Sequence, residues 1–306
     1  MTAPILLSDA RVGFQDYFVT KIALLLALPL LLPAQDFSEL RVERVAANYR
    51  FTEGPAWSGQ FLLFSDIPSN RILKFTPPQG PAAVFRENSG GANGNAFDSR
   101  GRLYTCEGAN RRVTRTSPDG KIEVLAERFD GKRLNAPNDI AVRRDNHVYF
   151  TDPAYGAQED SRELPFYGVF HLSPRGDLNV IARMDTRPNG IALSPNGRLL
   201  YVNAADERAV RVFDLDRSGN ASNPRVLITG IEGVPDGLRT DEKGNLYIAA
   251  AQLFIYSPAG QLIRGFRLPE TPSNLEFGDP DLLGLYVTAR RSVYHLRVPI
   301  KGSAQR

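Results

Sequence analysis

The chain has 306 residues, 42% hydrophobic and 23% charged, the balance of a globular protein with an ample core. Its 37 basic and 34 acidic side chains leave a net charge of +3, too weak and too scattered for a nucleic-acid binder. The single cysteine, Cys106, excludes an internal disulfide, and with only three separated histidines (His147, His171, His295) it argues against structural zinc.

The first 36 residues differ in kind from the rest. Lys21 precedes "IALLLALPLLLPA", in which residues 22–32 form an apolar run interrupted by Pro29. That run falls short of the ~20 residues needed to cross a bilayer. With Lys21 before it and Ala34 after it, the run reads as the core of a signal peptide over residues 1–34, cleaved near Ala34. The stretch before Lys21 carries Asp9 and Asp16 and is long for such a leader, so the true start is expected later, near Val19. The alternative is a tail helix of the mature domain. The expectation is export to the periplasm or the outside, with no membrane span in the mature protein.

From residue 37 onward no segment sustains a helical period. Short runs such as "HVYF", "LLYV" and "NLYIA" alternate with Gly, Pro, Asn and Asp, the pattern of strands and tight turns. One phrase returns six times. In "FTEGPAWSGQFLLFSD" Glu53 stands eleven residues before Phe64. Asn93 precedes Tyr104 in "GANGNAFDSRGRLYTCE", and Asn138 precedes Tyr149 in "APNDIAVRRDNHVYFTD". Asn189 precedes Tyr201 in "RPNGIALSPNGRLLYV", Asp236 precedes Tyr247 in "VPDGLRTDEKGNLYIA", and Asn274 precedes Tyr286 in "PSNLEFGDPDLLGLYVT". These anchors are 40, 45, 51, 47 and 38 residues apart, the period of β-propeller blades.

The reading is an all-β, six-bladed β-propeller of four strands per blade, a single domain over residues 37–299 with a tail at 300–306. "SPDGKIEVL", "SPRGDLNVI" and "SPAGQLIRG" supply the last turn and strand of three blades. Only three strands fit after Asn274. The alternating segment "LRVERVA", residues 40–46, is therefore expected to complete the last blade and remove an exposed edge. Arg111, Arg112 and Arg115, the tightest basic group, read as a solvated strand face.

In a propeller the first strand of each blade lines the axis, so residues in one phase share one height. Taken singly, each anchor reads as a turn residue. Six in phase, among them Glu53, which is no turn former, read instead as a ring of carboxylate and amide oxygens. Such a ring, without His or Cys, suits a hard divalent cation such as calcium, and Glu53 with Asp236 would balance its charge. Without the ion the two anions would repel each other, and one would take up a proton.

"FTEGPAW", "APNDIAV" with "YFTDPAYG", "RPNGIALS" and "VPDGLRTDEKGNLYIA", in that order, resemble the senescence-marker-protein/gluconolactonase/luciferin-regenerating family of six-bladed propellers over residues 40–298. The resemblance implies one divalent ion on the axis, commonly calcium, with magnesium, manganese or zinc open. It places the ligands on Glu53, Asn138, Asn189 and Asp236, with Asn93 lining the same pocket. It also implies a small-molecule substrate, a sugar lactone or related ester. The alternatives are phosphotriester hydrolysis and a non-catalytic propeller that binds a ligand or partner around a structural ion. One position departs from the pattern. The chain has Gly108 in "TCEGANRRV", where bacterial lactonase-like members often carry a histidine, so any help from that histidine in substrate binding or proton movement is absent.

Lactone hydrolysis needs a polarised carbonyl, a water and an acceptor for its proton. Asp236, in the ring, is the expected general base. Glu107, Asp152 and Tyr155 are expected to contact substrate at the pocket rim. Trp57 is expected to pack between blades, and His295 to be structural or solvent-facing.

Overall fold

The computed structural model describes residues 1–2, 37 and 40–303, apart from 79 and 156. The signal-peptide reading of residues 1–34 therefore lies outside the described residues, except for the first two. No described helix is long and apolar enough to cross a membrane. Asp36–Arg306 forms one unit, built on six four-stranded antiparallel sheets that are the six blades.

The first strands are Thr52–Trp57, Ala92–Phe97, Ile140–Val142, Pro188–Leu193, Leu238–Thr240 and Pro272–Gly278. The second strands are Leu62–Asp66, Leu103–Glu107, Val148–Asp152, Leu199–Ala204, Leu246–Ala249 and Gly284–Ala289. Each second strand carries its blade's recurring aromatic. Phe64, Tyr104, Tyr149, Tyr201, Tyr247 and Tyr286 are all buried, which explains why that position keeps a large flat side chain. Closure is as expected, with a small shift of bounds. Val42–Ala47 pairs antiparallel with Ser292–Arg297, from Val42 opposite Leu296 to Ala47 opposite Ser292, and becomes the outermost strand of blade six.

The core is divided among the seams between blades. Among the described residues there are six buried clusters, one at each seam. Leu63 and Ile72 of blade one meet Ala92 and Leu103 of blade two, and the series continues round to Trp57 and Phe64 of blade one against Tyr286 and Val293 of blade six. Trp57 stacks on Tyr286 with ring centroids 5.7 Å apart, the blade-packing role expected of it. Because each blade buries one face on each neighbour, the ring is stable only when complete.

Residues 300–303 do more than trail away. Ile300 is buried, Gly302 N–H donates to the Leu282 carbonyl, and Ser303 bonds both the backbone and the hydroxyl of Thr240. This stretch is part of the domain. The solvated-face reading of the arginine group also needs correction. Arg111 is buried, with Nε on the Asn135 carbonyl and Nη1 on the Ser161 carbonyl, so it ties blade two to two loops.

In blade three His147 Nδ1 and His171 Nε2 lie 2.6 Å apart, and the rings are stacked. Arg143, Asp145 and Asp216 surround the pair. Burial, then the charge of His147, pushes His171 down to about 4. The unfolded imidazole takes its proton near 6.5, so between those values the unfolded chain binds more protons. Stability is therefore full above about pH 6.5 and falls as pH drops toward 4. Urea unfolding across that range should show the slope, and His171→Phe, which keeps the stack on Tyr149, should flatten it.

Candidate functional site

In four blades the anchor lies at or beside an irregularity of the first strand. The register breaks between Glu53 and Ala56, between Ala92 and Asn95, between Pro188 and Ile191, and between Pro272 and Asn274. In blades three and five the anchor precedes the strand, and its N–H is held by the second strand. Asn138 N–H donates to the Thr151 carbonyl, and Asp236 N–H to the Ala249 carbonyl, each at 2.8 Å. Bulges of this sort re-aim side chains at a strand end. Asn189-Gly190 is therefore no turn, since it lies inside Pro188–Leu193.

The glycines after the anchors serve close approach. A Cβ on Gly190 would stand 2.2 Å from the Asp236 carbonyl oxygen, and one on Gly94 would stand 2.6 Å from that of Asn138. Each of these two glycines instead donates its N–H to that same carbonyl, at 2.9 and 2.7 Å. Neighbouring blades thus join backbone to backbone at the level of the ring, which fixes the spacing of the anchors.

A second layer of side chains pins the anchor carbonyls. Ser65 Oγ donates to Asn93 O at 2.8 Å, Thr151 Oγ1 to Asn189 O at 2.6 Å, and Asn203 Nδ2 to Asp236 O at 2.6 Å. Each donor sits on the second strand of the preceding blade. Sequence reading missed these three, although a polar residue just after the recurring aromatic was a usable signal.

The electrostatics fit a cation. Glu53 is buried, and its Oε2 accepts from Gly54 N–H at 2.8 Å and from Asn274 Nδ2 at 3.1 Å. Burial raises its pKa, and the Asp139 charge adds to the shift. Burial, then Glu53, then Asp139 push Asp236 well above the usual carboxylate range. Two of the ring's amide oxygens, Asn93 Oδ1 and Asn189 Oδ1, are buried without a hydrogen-bond partner. Buried acceptors left open beside two strained carboxylates are the donor set a hard divalent ion requires. Among the described residues no group of three or more His, Cys, Asp or Glu is arranged to hold a metal, so any site here depends on amide oxygens.

Beyond the ring the first strands enclose a cavity of about 100 Å3. It is lined by Ala56, Ala96, Ala141 and Ala192, each three residues after its anchor, and at the same offset in blade five by Arg239. Arg239 bonds Glu276 Oε2 at 3.0 Å and reaches Asp139 Oδ2 at 3.4 Å. Burial works against its charge, but the two carboxylates outweigh that and keep it a cation. It counters the Asp139 charge that bears on both Glu53 and Asp236. Arg239 and Glu276 also escaped sequence reading, though an arginine where four blades have alanine was a visible break in the pattern.

The remaining predicted residues divide. Asn138 is half-buried at the start of blade three, level with the other anchors. Tyr155 is in the loop that leaves Val148–Asp152 at the same end, and both Asp236 and Glu53 act on its hydroxyl. Glu107 has other work. Its buried carboxylate takes Arg86, Arg112, Thr114 and Asn110 at 2.6 to 2.9 Å. Asp152 is also fully buried, and its Oδ2 accepts from Asn135 N–H at 2.7 Å. Burial pushes it up to about 7. It holds the linker leading to Asn138, so a rim contact with substrate is replaced by a positioning role. His295 pairs with Asp279 at 2.9 Å, a structural contact as expected. At Gly108 a Cβ would meet only ordinary contacts, 3.4 Å or more, facing Pro137 and Ala136 beside Asn138.

A family model described as the SMP-30/Gluconolactonase/LRE-like region matches residues 51–291. A gluconolactonase of Zymomonas mobilis is 34% identical over 297 residues, covering 85% of this chain and 82% of its own. A pentonolactonase of Haloferax volcanii is 25% identical over 267 residues, covering 80% of this chain and 83% of its own. Among solved structures, a gluconolactonase from Xanthomonas campestris is similar with a TM-score of 0.80 at 32% identity, over 87% of this chain and 92% of that one.

Proposed function

The chain belongs to the senescence marker protein, gluconolactonase and luciferin-regenerating enzyme family, and on that premise we propose that it hydrolyses a sugar lactone or closely related ester with one divalent cation in its axial ring. The observation that carries this reading is the ring itself: Glu53 and Asp236 raised by burial, beside the unpartnered oxygens of Asn93 and Asn189. Glu53, Asn138, Asn189 and Asp236 would hold the ion, with calcium first among the hard cations such oxygens suit. When bound, the cation neutralises the two carboxylates and supplies Lewis-acid polarisation of the substrate carbonyl. The lactonases of Zymomonas, Haloferax and Xanthomonas support the ester class.

Asp236 accepts the proton of the attacking water. A ring carboxylate can share its oxygens between the ion and the attacking water, which suits the task. Asn93 Oδ1, buried without a partner, receives a substrate hydroxyl. Asp139, held by Ile140 N–H at 2.9 Å and by Arg239, sets the field under both ring carboxylates without contact with substrate. Asp152, through Asn135, fixes the linker that presents Asn138.

A panel of aldonolactones, simple esters and a phosphotriester, run with calcium and then with chelator, tests the reading. Lactone turnover should dominate and vanish with chelator. Bound metal with no turnover of any of the three classes overturns it. Export rests on Lys21 and the run at residues 22–32 alone. The amino-terminal sequence of protein from a periplasmic or culture fraction should begin near Gln35.

A further inference from the structure

Opening the lactone ring expels an alkoxide, a base close to hydroxide in strength, and that oxygen needs a proton as the C–O bond breaks. Protonated Asp236 could return the proton it took from water, but a second donor beside the ring would serve the leaving oxygen directly. Tyr155 is placed for it. Its loop departs from the end of Val148–Asp152 that is bonded to Asn138 through Thr151, so it emerges at the ring's own level. The Arg187 guanidinium lies 4.8 Å over its ring, and Arg187, two residues before Asn189, is fixed by Nε bonds of 3.0 and 3.2 Å to Asp206. The ring is thus clamped from above by the entry to blade four. Its hydroxyl is buried and has no hydrogen-bond partner, a costly condition unless a ligand or water completes it. A tyrosine phenol keeps its proton at neutral pH, so it enters the reaction able to donate.

We propose that Tyr155 is the general acid that protonates the leaving ring oxygen of the lactone, a role that rests on the lactonase reading above. Water adds to the carbonyl carbon and gives one proton to Asp236. As the tetrahedral adduct collapses, the C–O bond to the ring oxygen breaks and its electron pair stays on that oxygen, which takes the Tyr155 proton. The product is a hydroxy acid. The Tyr155 phenolate then recovers, through water, the proton held by Asp236, and no other reactant is consumed.

The test compares Tyr155→Phe with the wild type on two substrates. An aliphatic δ-lactone releases an alkoxide. Dihydrocoumarin releases a phenolate, whose conjugate acid, with a pKa of about 10, needs no catalytic acid. Phenylalanine keeps the ring under Arg187, and thermal melting with equilibrium dialysis of calcium verifies that fold and metal affinity are kept. Tyr155→Phe should lose ~100-fold or more in kcat/KM on the aliphatic lactone and no more than ~3-fold on dihydrocoumarin. Equal losses on both substrates, or none on either, overturn the acid role and leave the lactonase reading intact. A wild type that hydrolyses neither lactone overturns that reading and this proposal with it.

Discussion

Asp236→Asn should lower kcat/KM by ~1,000-fold, about 4 kcal/mol of transition-state stabilisation, while raising the thermal stability of the metal-free protein. The two effects have opposite signs because one carboxylate has two roles. With the ion present, Asp236 would be a ligand and, on the proposed reading, the acceptor of the water proton, and an amide would supply neither charge nor basicity. Without the ion, Asp236 and Glu53 are both buried: burial raises each, Asp139 adds to both, and the Glu53 charge adds to the rise at Asp236. Neutralising one relieves that repulsion, and a gain of ~1 kcal/mol would shift Tm by ~2–4 °C. Glu53→Gln should behave alike in chelator and lose metal affinity in calcium. Melting curves of both variants, in calcium and in chelator, check this. If either is destabilised equally in the two conditions, the ring is not a cation site.

Gly190→Ala should cost ~3–5 kcal/mol, although alanine is ordinarily the better residue within a strand. Gly190 has no positive φ to defend, so backbone strain is not the cause. The added Cβ would stand 2.2 Å from the Asp236 carbonyl oxygen and must force apart the bond that joins blades four and five at the ring. We expect Tm to fall by roughly 10 °C and calcium affinity to fall with it, because the same carbonyl belongs to Asp236, a proposed ligand. Gly108→Ala is the control. Its Cβ meets nothing closer than 3.4 Å, so the variant should match or slightly exceed the wild type. Urea unfolding of the pair decides. Equal losses at the two positions would refute the close-approach role.

The repeat was legible in the residues because it is a statement about period and phase, and both are linear in sequence. Each blade needs a large buried aromatic on its second strand and a polar residue where its first strand meets the axis, so "LYV" and the anchors recur at fixed separation. Closure by the early strand followed from counting strands. The site was legible only so far as it copied that phase. Glu53, Asn93, Asn138, Asn189, Asp236 and Asn274 share it. Arg239 pairs with Glu276 of the next blade and reaches Asp139 two blades back, and which side chains meet near the axis is set by the circle and not by the chain.

Glu107 and Asp152 show the limit from the other side. Both stand near a blade's axial end in sequence, and both read as rim carboxylates. Their fates depend on what folds over them: three donor side chains of blade two and Arg86 of blade one for Glu107, and the Asn135 backbone for Asp152. "PNG" occurs twice in "RPNGIALSPNGRLLYV". At Pro195-Asn196-Gly197 it is a tight turn, closed by Gly197 N–H on the Ser194 carbonyl, with Gly197 at φ +65°. At Pro188-Asn189-Gly190 it is strand, bulged between Pro188 and Ile191, with its glycine against the next blade. The sequence by itself determined the six blades, their closure and the ring of oxygens, because those follow from local pattern repeated in phase. Only the tertiary structure decided which glycines are contacts, which carboxylates are buried and in what company, and where Tyr155 turns its hydroxyl, because each depends on neighbours brought in by the fold, from 17 residues away for Asp152 to 221 for Glu53.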